Sequence, residues 1–125
     1  MLTPTQKRLY VRHLLLTEIG EAGQERLCGT RVGFAPNAST RAADVAWEYL
    51  ARAGVTRADA GASDALAVDV PDAATVERLA GSALLVDAAA TLAGAFAAVE
   101  AIKAAVGAGR AARLPADLAL AKDPD

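Results

Sequence analysis

The sequence predicts an α/β domain in which a short parallel sheet is flanked by helices and preceded by two N-terminal helices. Three observations predict this class. Short apolar runs bounded by turn residues alternate with longer segments of helical periodicity. Alanine accounts for 33 of the 125 residues, which favours helix and lets neighbouring elements approach closely. A chain of this length forms one small domain at most.

Two helices are expected before the sheet. The segment Thr3-Pro4-Thr5-Gln6 has the pattern of a capping box, with a threonine cap, a proline at the first helical position and a glutamine at the third. This helix is expected to end near Thr17, before the break at Ile19-Gly20. A second, short helix is expected over Glu21 to Leu27, with Gly29 as its stop signal.

Three apolar runs bounded by turn signals are predicted to be buried strands: Arg31–Ala35, Leu66–Val70 and Ala83–Val86. Between the first two, the polar stretch Thr56–Asp64 is predicted to be a loop. Because helices separate the strands, parallel pairing with right-handed crossovers is expected. Three short strands leave little sheet to bury, so oligomerisation is also expected.

Helices are predicted to connect and follow the strands. The first, Arg41–Ala53, carries an apolar face and ends at Gly54; the residues of this face are Ala42, Val45, Ala46, Tyr49, Leu50 and Ala53. The second begins at Pro71-Asp72 and runs to about Ala80. The third begins at Asp87 or Ala88, runs to Val106 and is the longest. Residues 110–125 are predicted to form a tail, either as a strand or disordered.

Composition excludes several classes of function. A net charge of −2 and an aromatic content of 4% argue against a nucleic-acid binder. The single cysteine, Cys28, excludes an internal disulfide, and with the single histidine, His13, it leaves no expected metal site. The most apolar window, Ala88 to Val99, has only about twelve residues, so neither a membrane span nor membrane binding is expected. No signal peptide is predicted, and a cytoplasmic location follows as the expectation.

The segment YVRHLLLTEIGEAGQERLCGTRV, from Tyr10 to Val32, combines an arginine-bearing helix, a glycine, a G-Q-x-x-L pattern and a strand that begins R-V. It resembles the N-terminal signature of the ThiF/MoeB/HesA-type activating enzymes, the prokaryotic relatives of ubiquitin-activating enzymes. The residues that match the signature are Arg12, His13, Gly20, Gly23, Gln24, Leu27, Arg31 and Val32. Leu9 stands where the family pattern has its first arginine. Two later segments, YLARAGV and LAGAFAAVEAIKAAVGAG, resemble the end of the family's first Rossmann helix and its late helix.

The resemblance implies a truncated Rossmann-like domain of the ThiF type, which is an NAD/FAD-binding fold. Residues 1–30 would then be an N-terminal helical segment, residues 31–109 the truncated Rossmann-like domain and residues 110–125 a tail. The family's magnesium-binding aspartate, its zinc-binding cysteine pairs and the loop that bears its nucleophilic cysteine have no counterpart in this sequence. Nothing maps Cys28 onto that nucleophile.

The family's glycine-rich phosphate loop is replaced here by Pro36-Asn37-Ala38-Ser39-Thr40-Arg41. Glycines let backbone N–H groups approach a phosphate at a helix N-terminus, whereas proline has no N–H and the side chains of Asn37 and Arg41 occupy space. The nucleotide grip is therefore expected to be lost, and no cofactor is expected. For Ser39, Thr40 and Arg41, a helix cap is favoured over an anion site.

Other candidate residues follow from the resemblance. Arg12 would reach from one subunit into the ATP site of its partner and bind phosphate there. The alternative is that Arg8 and Arg12 form a solvated basic face or pair with Glu18 or Glu21. The family holds ribose with an acidic residue after the second strand, and three candidates lie in that region: Asp59, Asp64 and Asp69. His13 is expected to pack or cap, and Cys28 to be a small buried residue at a helix end.

The larger apolar residues of the longest helix form a narrow stripe at Leu92, Phe96, Val99, Ile102 and Val106, and Gly94 nearby permits close contact. The stripe either packs on the sheet or forms a partner interface.

The expected function is that of a non-catalytic ThiF/MoeB/HesA-like binding or assembly subunit. Its partner would be a second copy, a full-length activating enzyme, or a ubiquitin-like or sulfur-carrier protein. One alternative is a minimal ATP- and magnesium-dependent adenylyltransferase that activates such a carrier. A second alternative is an NAD/FAD-binding module.

Overall fold

The computed structural model describes residues 2–9, 20–59 and 64–121. In this part of the chain, helices surround a small sheet. The helices are α1 (Pro4–Leu9), α2 (Gly20–Cys28), α3 (Thr40–Arg52), α4 (Ala73–Ala80) and α5 (Val86–Val106). The strands are β1 (Arg31–Phe34), β2 (Thr56–Arg57) and β3 (Leu66–Val68), and a 3₁₀ turn spans Ala83–Leu85.

The three strands form a parallel sheet in the order β2-β1-β3. In the centre, Val32 of β1 is fully buried and pairs with Arg57 on one side and with Leu66 on the other. The mixed α/β class and the parallel pairing predicted from the sequence are therefore confirmed.

The prediction of a strand at Ala83–Val86 is wrong. Its first three residues form the 3₁₀ turn, and Val86 already begins α5. The hydroxyl of Ser82 accepts a hydrogen bond from the Leu84 N–H at 3.3 Å, which caps the turn. Leu84 is 93% exposed, and Leu85 and Val86 are only half-buried against the core, so the run is not buried as a strand inside a sheet would be.

The third strand of the sheet is instead β2, inside the stretch predicted to be a loop. Both of its residues are exposed, so it carries no apolar pattern. Backbone hydrogen bonds place it: the Thr56 N–H donates to the Thr30 carbonyl at 3.1 Å, and the Ala58 N–H donates to the Val32 carbonyl at 2.9 Å.

The predicted capping box at the start of α1 is confirmed. The Thr3 N–H donates to Gln6 Oε1 at 2.9 Å, and the Gln6 N–H donates to Thr3 Oγ1 at 3.1 Å. Each side chain thus satisfies a backbone donor at the helix start. The rest of the helix predicted to reach Thr17 lies outside the described residues.

The helices α3 and α5 make the closest contact between elements in the core. A Cβ added at Gly94 would collide with the Ala42 carbonyl oxygen and lie 2.8 Å from Val45 Cβ. The close approach predicted for Gly94 is therefore confirmed. One member of the predicted apolar face of α3 departs from it, because Tyr49 is 47% exposed.

The buried face of α5 consists almost entirely of small residues: Ala89, Ala90, Ala93, Gly94, Ala97, Ala98 and Ala101. The larger residues of the predicted stripe mostly lie elsewhere. Val99 is 55% exposed, Leu92, Phe96 and Ile102 are half-buried, and only Val106 is buried. Of the two alternatives for the stripe, packing inside the fold thus applies to Val106 and in part to Leu92 and Ile102, which contact the core. A partner interface at Val99 stays a prediction.

The sequence-based conclusion that no stretch is long enough to span a membrane also needs correction. The segment Ala83–Val106 has the length and the mean hydropathy, 1.6, to cross one, and 39% of its most apolar window is buried inside the fold. A core helix of a water-soluble protein passes the same test. This helix packs against α2, α3, α4 and β3.

Residues 110–121, here called the C-terminal strap, form neither helix nor strand. The strap returns to α4, where the Leu120 N–H donates to the Leu79 carbonyl at 2.7 Å and the Ala121 N–H donates to the Ala80 carbonyl at 3.1 Å. It therefore satisfies carbonyls at the end of α4 that the helix leaves unpaired.

Candidate functional site

A crevice lies where the three parallel strands end, here called the strand-end crevice. Open α/β sheets bind ligands at this edge, where strand order reverses. β1 is such a point, because β2 and β3 lie on its opposite sides. The crevice has a volume of about 600 Å³, and its walls are formed by Gly33, Phe34, Ala35, Arg57, Ala58, Asp59, Ala65, Ala67, Val68 and Asp69.

The turn between β1 and α3, residues 35–39, contains most of the segment for which the sequence resemblance predicted a degenerate phosphate loop. The Ser39 N–H donates to the Pro71 carbonyl at 2.8 Å, and the Ala38 N–H donates to the Ala35 carbonyl at 3.1 Å. Ser39 Oγ accepts from the Ala42 N–H at 3.3 Å, and Ser39 itself is buried. These three donors are already used inside the protein, so they are not directed at a phosphate.

The other residues of this segment lie on the surface. Asn37, Thr40 and Arg41 are exposed. Arg41 Nη2 lies 3.7 Å from Asp87 Oδ2 at the start of α5, and both side chains are more than half exposed. The structure thus divides the four predicted residues between the turn, which holds Asn37 and the helix cap Ser39, and the start of α3, which holds Thr40 and Arg41.

The start of α4, opposite this turn, also carries a carboxylate. Asp72 Oδ1 accepts a hydrogen bond from the Thr75 N–H at 2.8 Å, and this bond, with the Thr75 hydroxyl, lowers the pKa of Asp72 below its usual 3.8. Asp72 also forms an isolated bridge with Ala38. The carboxylate therefore takes the place that an anion would occupy at this helix N-terminus.

The position of β2 separates the three acidic candidates. Asp59 follows the strand by two residues and lines the strand-end crevice, as does Asp69 after β3. Asp64 instead pairs with Arg31, with 3.0 Å between Oδ2 and Nη1. The sequence did not distinguish these residues because it gave no sign of β2.

Arg57 is a residue of the crevice that the sequence analysis missed. Its guanidinium carbon lies 4.8 Å from the ring centre of Phe34 and 5.8 Å from that of Trp47, which are cation–π distances. Together with Asp59 and Asp69, it gives the crevice one positive and two negative side chains. This balance is unfavourable for a polyphosphate.

Two side chains of α2 donate hydrogen bonds to carbonyls at the ends of other helices. Gln24 is fully buried, and its Nε2 donates to the Ala53 carbonyl at the end of α3 at 2.7 Å. Arg26 Nη1 donates to the Val106 carbonyl at the end of α5 at 2.9 Å. Cys28 is half-buried at the end of α2, with its Sγ 3.7 Å from Gln24 Nε2.

Arg12 and His13 lie outside the described residues, so the proposed contact of Arg12 with a partner's phosphate stays a prediction. Among the residues that the structure describes, no three His, Cys, Asp or Glu side chains are grouped so as to hold a metal ion.

No protein-family model, curated protein or solved structure matches this chain significantly.

Proposed function

We propose that this chain is a ThiF/MoeB/HesA-like binding or assembly subunit that does not activate substrates with ATP. The observation that carries the proposal is the closed turn between β1 and α3. A phosphate loop needs free N–H groups directed at the ligand, whereas here the N–H of Ser39 binds Pro71 and its hydroxyl caps α3. The strand-end crevice also carries more carboxylates than cations, which disfavours binding of the phosphates of ATP.

The partner surface in this proposal is the outer face of α5. Its centre is Val99, which is 55% exposed, and Leu84, 93% exposed, extends it at the start of the helix. Leu92 and Ile102 border this face and pack in part against the core. Large apolar side chains grouped on a protein surface often mark a site where another molecule binds. Binding a second protein subunit here, either another copy or a related activating enzyme, would remove this surface from water.

The nucleotide part of the proposal is tested by calorimetric titration with ATP and magnesium, using a full-length activating enzyme as positive control. We expect no saturable heat up to about 1 mM ATP, which corresponds to a binding free energy weaker than about −4 kcal/mol. Binding at micromolar concentration would overturn the proposal. Pyrophosphate exchange in the presence of a carrier protein would instead favour the minimal adenylyltransferase.

The association part is tested by sedimentation velocity, first with the chain alone and then with an activating enzyme. The variant Val99→Glu places a charge at the centre of the outer face, and Ala51→Glu makes a comparable change at an exposed position of α3. We expect the first variant alone to lose the complex. If both variants formed the complex equally well, or both lost it, the partner would not bind at the outer face of α5. If the chain instead sediments with neutral lipid vesicles, and Val99→Glu abolishes this, the surface binds a membrane and not a protein partner.

One observation favours a second function, an NAD/FAD-binding module. Asp59 lies just beyond β2 in the strand-end crevice, which is where dinucleotide-binding folds hold a ribose hydroxyl. Titration with NAD⁺ and FAD tests it. This function predicts saturable binding that Asp59→Asn weakens and Asp64→Asn leaves unchanged; absence of binding would exclude it.

A further inference from the structure

A second concavity, the strap groove, lies between α4, α5 and the C-terminal strap. Its volume is about 360 Å³, at the small end of the range of about 300–1,000 Å³ for small-molecule pockets. The main apolar walls are formed by Leu79, Ala93, Phe96, Ala97, Leu114 and Pro115. An apolar interior with a few charged side chains is the usual construction of a small-molecule site.

The strap is fixed on both sides of the groove. Upstream, the Ala112 N–H donates to Glu100 Oε1 of α5. Downstream, the strap bonds to the last carbonyls of α4 through Leu120 and Ala121. Because both ends are held by hydrogen bonds, the residues between them form a defined wall.

Two further contacts seat the strap. Leu114 is half-buried and packs against the hydrophobic core. At the downstream end the strap lies so close to Gly81 that a Cβ there would collide with the Ala121 carbonyl oxygen, and Gly81 has a φ of +71°, which favours glycine.

Two guanidinium groups and two carboxylates line the strap groove. Glu100 is already compensated, since its Oε2 lies 2.6 Å from Lys103 Nζ. Arg78 and Arg113 are exposed and line the groove, and Arg78 Nη2 donates to the Thr75 hydroxyl at 3.0 Å. The other carboxylates near these guanidinium groups are that of Asp69, which lines the groove, and that of Asp72, whose pKa Arg78 helps to lower. Arg113 has neither of them as an ion-pair partner among the described contacts.

We propose that the strap groove binds a small carboxylate with an apolar body. Arg78 and Arg113 hold the carboxylate, since a guanidinium binds its two oxygens in a fork and is always charged. The apolar body contacts Leu79, Phe96 and Leu114 and is removed from water. This site lies apart from the strand-end crevice except for Asp69, which lines both.

The test uses octanoate as the probe in calorimetric titrations of the full chain. Two probes with the same hydrocarbon chain serve as controls: 1-octanol, which has no charge, and octylamine, which has the opposite charge. We expect octanoate to bind with a Kd below about 1 mM and at least about tenfold more tightly than either control. Weaker binding of octanoate, or equal binding of 1-octanol, would overturn the proposal.

Variants on the strap locate the site. Arg113→Gln removes a guanidinium that lines the groove, and Arg110→Gln removes one that does not; both positions are exposed on the strap. Ala116→Trp fills the groove from an exposed position, so it does not disturb the buried core. We expect the first and the third to weaken octanoate binding at least about fivefold, a loss of about 1 kcal/mol, while Arg110→Gln leaves it unchanged. An equal loss in both arginine variants would contradict this location.

Discussion

Gln24 Nε2 donates a hydrogen bond of 2.7 Å to the carbonyl oxygen of Ala53, and both residues are buried. The bond joins α2 to the end of α3, where helix carbonyls have no partner within the helix. A residue first noticed as part of a sequence signature is thus a structural link in the core.

Replacing Gln24 by methionine should destabilise the fold. Methionine has a similar size but no donor, so the buried Ala53 carbonyl loses its partner at a cost of about 1–3 kcal/mol. Urea unfolding measures this change. Gln6→Met makes the same substitution in the capping box of α1, where water replaces the lost bonds, and should cost less than about 1 kcal/mol. Equal losses in the two variants would contradict the role given to Gln24.

Gly94→Ala should destabilise the contact between α3 and α5. The added Cβ would collide with the Ala42 carbonyl oxygen, and overpacking of this kind costs about 1–3 kcal/mol. The gain in helix propensity, up to about 1 kcal/mol, offsets only part of it. Thermal unfolding compares this variant with Gly29→Ala, whose Cβ would lie 3.5 Å from the nearest atom, the Glu25 carbonyl oxygen. A Gly94→Ala protein as stable as Gly29→Ala would show that the helices are farther apart.

Ser39→Ala tests the cap of α3. The Ala42 N–H loses its acceptor, which costs about 1 kcal/mol of unfolding free energy. Ser82→Ala is the matched control, since Ser82 caps only the short 3₁₀ turn, and it should cost less. If Ser39→Ala were neutral and the protein then bound phosphate, the turn between β1 and α3 would be open to anions after all.

The strap should detach from α5 in acid. The ion pair with Lys103 and the Ala112 N–H lower the pKa of Glu100 below its usual 4.5. Ionised Glu100 therefore stabilises the folded chain above pH 4.5, the pKa of the unfolded state. This stabilisation is lost as the pH falls through the pKa of Glu100 in the folded state, which is lower. The amide shift of Ala112, followed by NMR from pH 7 to 3, should titrate with a midpoint below 4.5.

Glu100→Gln should remove that titration, whereas Glu77→Gln, at an exposed position of α4, should leave it intact. An Ala112 amide that does not respond to pH would contradict the anchor at Glu100.

The start of α1 and the end of α5 could be predicted from the sequence because their signals are local. Thr3 and Gln6 form the capping box that begins α1, and Gly107, which has a positive φ, ends α5. The sheet was less predictable. Two exposed residues, Thr56 and Arg57, become a strand only through bonds to β1, and Ser82 converts the apolar run after it into a 3₁₀ turn.

In the candidate site too, local features could be predicted from the sequence, whereas contacts between distant segments could not. The absence of glycine after β1 was visible in the sequence, but the bond from Ser39 to Pro71 joins distant segments and was not. Arg57 and its aromatic neighbours were missed for a similar reason, since Phe34 and Trp47 approach it only in the folded chain. The strap groove depends on the return of the chain to α4, which no local pattern encodes.

Helix α2 fastens two other helices at once, through Gln24 at the end of α3 and Arg26 at the end of α5. A boundary drawn between residues 30 and 31 would cut through both of these attachments. Helix α2 is thus part of the same folded unit as the sheet. A fragment that begins at β1 would lose both hydrogen bonds and would expose to water the core surface that Leu27 now covers.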